Sequence, residues 1–190
     1  MSAKAETSEP AEPDLGGGRT SEQVSAALLG ALKEAGVTLT ACLPDDWVSP
    51  LIARLDEEPS ITNVRVAREP EIVGIASGAF FGGVRAAGVL GSTGFLTCIS
   101  ELGGLALKHG IPLFLIVSLR SGVYEHQTFQ ETQSRTVRPL VETLGYPSLL
   151  VDRPERIDLI PDAYAASRLH KRPYVVWLTK ALLQDRTPDL

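Results

Sequence analysis

Cysteine and histidine are scarce in this sequence of 190 residues, which holds two of the first and three of the second. Cys42 and Cys98 are too few for a disulfide framework or a zinc site. His109, His126 and His170 are scattered, and none has metal-ligand spacing. No stretch approaches the ~20 apolar residues that a membrane helix needs. No basic flank leads into an apolar block at the start, so a secretory signal is not expected and a cytoplasmic location follows as the default. Lys and Arg number 18 against 23 Asp and Glu, and the net charge of −5 argues against a nucleic-acid partner, because no basic surplus is there to neutralise phosphates. Three nucleotide and hydrolase signatures are missing as well. There is no P-loop, and no G-x-G-x-x-G opens a helix after a strand. There is no nucleophile elbow, since in Gly74-Ile75-Ala76-Ser77-Gly78 the serine comes one place late.

What is present is an ordinary globular composition, 44% hydrophobic and 22% charged. Residues 1–19 stand apart: rich in Glu, Ala, Pro and Gly, with Leu15 as the one large apolar residue after Met1, they read as a disordered tail. Residues 20–190 read as one α/β domain. Thr20 and Gln23 have capping-box spacing, Val24, Leu28, Leu32 and Ala35 share a helical face, and Gly36 ends that helix. Short apolar runs then alternate with helical stretches. The strand candidates are Leu39–Leu43, Asn63–Ala67, Ala86–Leu90, Leu113–Ser118, Ser148–Val151 and Tyr174–Leu178. The helix candidates are Trp47–Asp56, Glu69–Gly82, Leu96–Lys108, Thr136–Leu144 and Glu155–Leu169. Continuous apolar strands between helices predict a doubly wound parallel sheet of about six strands with helices on both faces. Ligands bind such sheets at the C-terminal ends of the strands. That directs attention to the turns Pro44–Asp46, Arg68–Glu71, Gly91–Gly94 and Leu119–Gln133, the last a long loop.

Three motifs occupy those turns. In Val66-Ala67-Arg68-Glu69-Pro70-Glu71 a strand gives way to a helix of small residues. Both glutamates would favour the helix dipole and Pro70 suits a first turn, a purely structural role. Gly91-Ser92-Thr93-Gly94 permits a tight turn or a close approach to a ligand. Thr128-Phe129-Gln130-Glu131 lies inside the long loop and is followed by Arg135 and Arg138. An exposed aromatic among polar side chains suits a lid or channel wall, or a solvated loop.

In this order and spacing the segments resemble the pyrimidine-binding (PYR) domain of thiamine-diphosphate enzymes, over roughly Thr20 to Leu182. Within that family the likeness is to the sulfopyruvate and phosphonopyruvate decarboxylases. Those carry Arg-Glu-x-Glu at the end of the second strand and a helix ending in Gly-Ala-aromatic-x-Gly-Gly, which here reads Arg68-Glu69-Pro70-Glu71 and Gly78-Ala79-Phe80-Phe81-Gly82-Gly83. Thr128-Phe129-Gln130-Glu131 is similar to the Phe-Gln-Glu of acetohydroxyacid synthases.

The resemblance implies thiamine diphosphate as cofactor. A carboxylate beside its pyrimidine nitrogen shares a proton with it and so promotes activation, best from a site shielded from water. Counting back nine residues from Gly78 places that role on Glu69, with Glu71 as the alternative two residues on. Pro44, Ser92, Thr93, Gly94, Phe95 and Thr97 would border the cofactor. Leu96 departs from the family, standing where relatives have a second glycine. Gln130 matches a glutamine near the reaction centre, and His126 is a candidate acid or base. Arg120 and Arg135, and also Arg138, are candidate clamps for an anionic 2-oxo acid. The family binds the diphosphate through Mg²⁺ held by a Gly-Asp-Gly segment in a separate diphosphate-binding (PP) domain. This sequence has no Gly-Asp-Gly. The resemblance therefore implies a partner β subunit carrying the PP domain and the metal ligands, with this chain supplying no metal ligand. A carboligase subunit and a non-catalytic regulatory subunit of the same fold are the alternatives.

Overall fold

The computed structural model describes residues 21–184 apart from 121, 123 and 124. The tail expected over residues 1–19, and Thr20 of the expected capping box, lie outside the described residues. Six strands form the sheet: β1 (Leu39–Cys42), β2 (Thr62–Arg65), β3 (Ala86–Gly91), β4 (Phe114–Leu119), β5 (Ser148–Val151) and β6 (Tyr174–Thr179). They run in the order β2-β1-β3-β4-β6-β5, and every pairing is parallel. The doubly wound parallel sheet read from the sequence is the fold.

A strand's side chains alternate between its two faces, so a sheet covered on both sides needs two cores. Phe114 and Ile116 of β4 enter one core, while Leu115 and Val117 enter the other. The first core is closed by α1 (Ser21–Glu34), α2 (Ser49–Glu57), α7 (Ile160–His170) and α8 (Lys180–Leu183), through residues such as Leu28, Leu51, Tyr164 and Leu182. The second is closed by α3 (Glu69–Phe81), by a helical run from Ser92 to Leu107, and by α6 (Thr128–Thr143). That run consists of α4 (Ser92–Phe95), a 3₁₀ turn, α5 (Ile99–Glu101) and a π turn over Leu102–Leu107. The helix α3 lies close on β3, because a Cβ at Gly88 would fall 2.5 Å from Cγ2 of Ile72. No helix among the described residues is long and apolar enough to cross a membrane.

Two expectations fail locally. The Leu119–Gln133 segment is not loop throughout, since α6 starts at Thr128 and makes Thr128-Phe129-Gln130-Glu131 its first turn. Ser134, Val137 and Val141 are its buried face, and the buried serine breaks the apolar period that sequence reading relies on. The Gly91–Gly94 segment is likewise no free turn, because α4 begins at Ser92 directly from β3.

The chain passes from β1 outward to β2 and then returns to β3 on the far side of β1. A crevice opens where connections diverge in this way, at the C-terminal ends of β1 and β3.

Candidate active site

Three segments meet at that crevice: the turn after β1, the start of α3 after β2, and the start of α4 after β3. The two glutamates that open α3 have different surroundings. Glu71 is committed to the backbone, its Oε2 accepting from the N–H groups of Ala67 (3.0 Å) and Arg68 (3.3 Å). That satisfies donors at the helix start, the ordinary work of an acidic residue there. The Glu69 carboxylate forms no hydrogen bond or ion pair among the described residues. It lies directly against Gly94, where a Cβ would fall 2.1 Å from its Oε1 and 2.5 Å from its Cδ. Real Cβ atoms do not come that close, so this seat for the carboxylate exists because residue 94 has no side chain.

Cys98 lies one helical turn beyond Gly94, its thiol directed to the Gly94 carbonyl at 3.7 Å. Burial pushes the Cys98 thiol up to about 12, and the charges of Glu69 and Glu101 add to the rise against the Thr97 hydrogen bond. The thiol is held protonated and unreactive. Thr97 is exposed and donates to the Gly94 carbonyl at 2.7 Å.

Behind Gly94 the polar side chains form one connected set. The Asp45 carboxylate accepts from the Trp47 N–H (3.1 Å) and the Ser118 hydroxyl (2.9 Å) through Oδ1. Its Oδ2 pairs with Nη1 of Arg120 at 3.4 Å and occupies the space that a Cβ on Gly91 would need, 2.7 Å away. Arg120 also pairs through Nε with Glu125 at 3.1 Å and lies on the Trp47 ring, 4.5 Å from its centroid. The Arg120 side chain is 7% exposed and that of Glu125 2%. Burial alone would raise the Glu125 carboxyl, but the Gln127 N–H and the Arg120 guanidinium outweigh it and hold the group below its ordinary value. The Arg120 backbone N–H donates to Oγ of Ser92 at 3.2 Å, and Ser92 shares a 2.6 Å hydrogen bond with Ser134 of α6. The Thr93 hydroxyl donates to Oε1 of Gln130, so α6 is tied to α4 twice.

Of the residues singled out in the sequence, Glu69 and Gly94 therefore touch, Thr93 and Gln130 touch, and Ser92 joins Arg120. Phe95 is wholly buried, its ring edge-on to Trp177 with centroids 5.6 Å apart. Pro44 and His126 are exposed. Arg135 is exposed and pairs with Glu131 one turn back on α6. Sequence reading passed over Asp45, Trp47, Glu125 and Ser134. For Asp45 a signal existed, since it lies in the turn after the first strand, already marked for attention.

A parallel α/β domain that presents an uncommitted carboxylate at its switch-point crevice has the form of a cofactor-binding domain. Residues 22–137, more than half of the chain, match the family described as "Thiamine pyrophosphate enzyme, N-terminal TPP binding domain", and the chain belongs to that family. It is 27% identical over 155 residues to sulfopyruvate decarboxylase subunit alpha of Methanococcus maripaludis, a match covering 81% of this chain and 93% of the relative. To the protein of the same description in Methanocaldococcus jannaschii it is 27% identical over 154 residues, covering 81% and 90%. To phosphonopyruvate decarboxylase of Streptomyces viridochromogenes it is 26% identical over 166 residues, covering 85% of this chain but 41% of the relative. For thiamine diphosphate the crevice offers an unpaired carboxylate, seated where residue 94 carries no Cβ. Such a carboxylate fits the nitrogen-bearing ring of the cofactor. Among the described residues, no group of three or more His, Cys, Asp or Glu side chains is placed to hold a metal ion.

Proposed function

We propose that this chain is the α (PYR) subunit of a two-subunit thiamine-diphosphate-dependent 2-oxo acid decarboxylase, of the sulfopyruvate or phosphonopyruvate type. A β subunit with a PP domain completes the site and brings the diphosphate and Mg²⁺ ligands. The single observation that carries this reading is the Glu69 carboxylate, unpaired among the described residues and seated on Gly94. The relatives named as alpha subunits, which this chain matches over most of their length, support the division of labour.

Thiamine diphosphate, when bound, would supply the carbon nucleophile and the electron sink that decarboxylation of a 2-oxo acid requires. The work of this chain is at the pyrimidine. Glu69 would hold the cofactor by its pyrimidine nitrogen and share a proton with it at the carboxyl, which promotes activation. Gly94 keeps that carboxyl close to the backbone of α4. Gln130, fixed by Thr93, is a polar group available to the substrate at the mouth of the crevice.

The test is Glu69→Gln in the assembled complex. The amide has the same shape but cannot exchange a proton in the same way, so kcat should fall by roughly 10²–10⁴-fold. Calorimetry should show thiamine diphosphate still bound, with saturable binding seen only when the partner subunit is present. Unchanged turnover in the variant would remove Glu69 from the mechanism, and an unsubstituted complex that binds no thiamine diphosphate would remove the decarboxylase reading.

A further inference from the structure

Sequence alone made Arg120 a candidate clamp for the substrate's anion. Its surroundings argue for a different task. A clamp needs a guanidinium that can turn its donors to a ligand. The Arg120 side chain is instead 7% exposed, pinned between the carboxylates of Asp45 and Glu125, and pressed on the Trp47 ring. Two carboxylates around one guanidinium leave no net positive charge to attract a second anion. A buried guanidinium held this way is a rigid strut, because its planar fork fixes whatever it bonds.

What it fixes is the seat of Glu69. Through its side chain Arg120 holds Asp45, whose Oδ2 lies against Gly91. Through its backbone N–H it holds Ser92, which is tied in turn to Ser134. Gly91 and Ser92 lead within three residues to Gly94, on which the Glu69 carboxylate rests. The network thus spans the ends of β1, β3 and β4 and the start of α6, and its centre is Arg120.

We propose that Arg120 is a positioning residue, not a substrate clamp: with Asp45 and Glu125 it fixes the Gly91–Gly94 segment that seats the Glu69 carboxylate. The step to catalysis rests on the decarboxylase reading above, while the network itself does not.

Two measurements test it. In thermal melts of the full-length chain, Asp45→Asn, Arg120→Gln and Glu125→Gln are made singly and in pairs. Residues of one network couple, so in an Arg120→Gln background the other two changes should cost far less than they do alone. Additive effects overturn the network. In the complex assembled with the partner subunit, Asp45→Asn is the variant of choice, because the isosteric amide can still accept from Trp47 and Ser118 and should leave the fold intact. It should lower kcat by roughly tenfold or more, because small displacements of a catalytic group are costly. KM should stay within about twofold, alike for 3-sulfo and plain 2-oxo acids. Its affinity for thiamine diphosphate should also weaken, a readout independent of turnover. In the complex carrying Arg120→Gln, a rise in KM confined to the 3-sulfo substrate makes Arg120 a clamp after all and overturns the proposal. An unaltered kcat and cofactor affinity in a folded variant overturns it too, leaving the network a purely structural role. If the unsubstituted complex binds the cofactor but turns over none of these acids, the decarboxylase reading fails, and the melts and cofactor affinities still decide the network.

Discussion

Glycine does different work at the two ends of this sheet. At the N-terminal edge, the helix-to-strand turns put Gly110 and Gly145 in the left-handed region, at φ 62° and 69°. There glycine serves the backbone, since an L side chain at such an angle costs about 1–2 kcal/mol. At the C-terminal edge Gly91 has an ordinary φ of −84°, and Gly94 lies within a helix. There glycine serves its neighbours, leaving room for the Asp45 and Glu69 carboxylates. A missing side chain eases chain reversal at one edge and gives a functional carboxylate its place at the other. The difference shows why a glycine in a sequence marks a constraint without saying which kind.

The contrast is sharpest in a pair of alanine substitutions. Gly94→Ala places a methyl where the Glu69 carboxylate now lies. The obstructed atoms run from Cγ to Oε1 of Glu69, a half-buried side chain that must change rotamer, so the fold should lose less than the chemistry, while kcat of the assembled complex should fall about 100-fold from misplacement. Gly110→Ala meets nothing closer than 3.6 Å, but it must hold a left-handed backbone. It should leave kcat unchanged and lower stability by about 1–2 kcal/mol in denaturant unfolding. The comparison breaks if Gly94→Ala unfolds the chain yet spares turnover, or if Gly110→Ala reaches the chemistry.

Acid should weaken the C-terminal edge through Glu125. Its carboxyl is held below the ordinary value of 4.5 by the Gln127 N–H and Arg120. A group depressed in the folded state adds stability above its unfolded value and loses it as pH falls through the folded value. Melting temperature should therefore decline as pH drops below about 4.5, and Glu125→Gln should flatten that decline. An unaltered acid limb in the variant would show that other carboxylates set it.

The sequence made the sheet legible because its inner strands β3, β4 and β6 lie between two cores and are nearly all apolar, whereas the edge strand β2 is polar and exposed at both ends. Leu115 and Ile116 face opposite sides yet are both fully buried. Glu69 and Gly94 were legible only as members of a motif, not as a contact, since they lie on different elements and nothing local predicts that they meet. The start of α6 was hidden because its first two turns are polar but for an exposed Phe129, and its buried face includes Ser134. The Asp45–Arg120 pair joins residues 75 positions apart, and no pattern of spacing announces such a bond. Helix and strand periods are written along the chain, but the polar contacts at a crevice arise only when distant turns converge.

The smallest effect belongs to the N-terminal edge, where one turn lacks its glycine. Between α7 and β6 the left-handed position is held by Lys171, at φ 52°. Lys171→Gly removes the clash of a Cβ with the backbone, worth about 1–2 kcal/mol at such an angle. Against this, glycine frees the unfolded chain and so costs roughly 0.5–1 kcal/mol. The balance favours the variant by about half a kcal/mol, which for a chain of this size raises the melting temperature by roughly 1–2 °C. Turnover should be untouched, because the turn lies at the edge away from Glu69. A fall in melting temperature would mean that the Lys171 side chain earns its strained backbone through contacts of its own, and that this edge, too, carries a constraint beyond chain reversal.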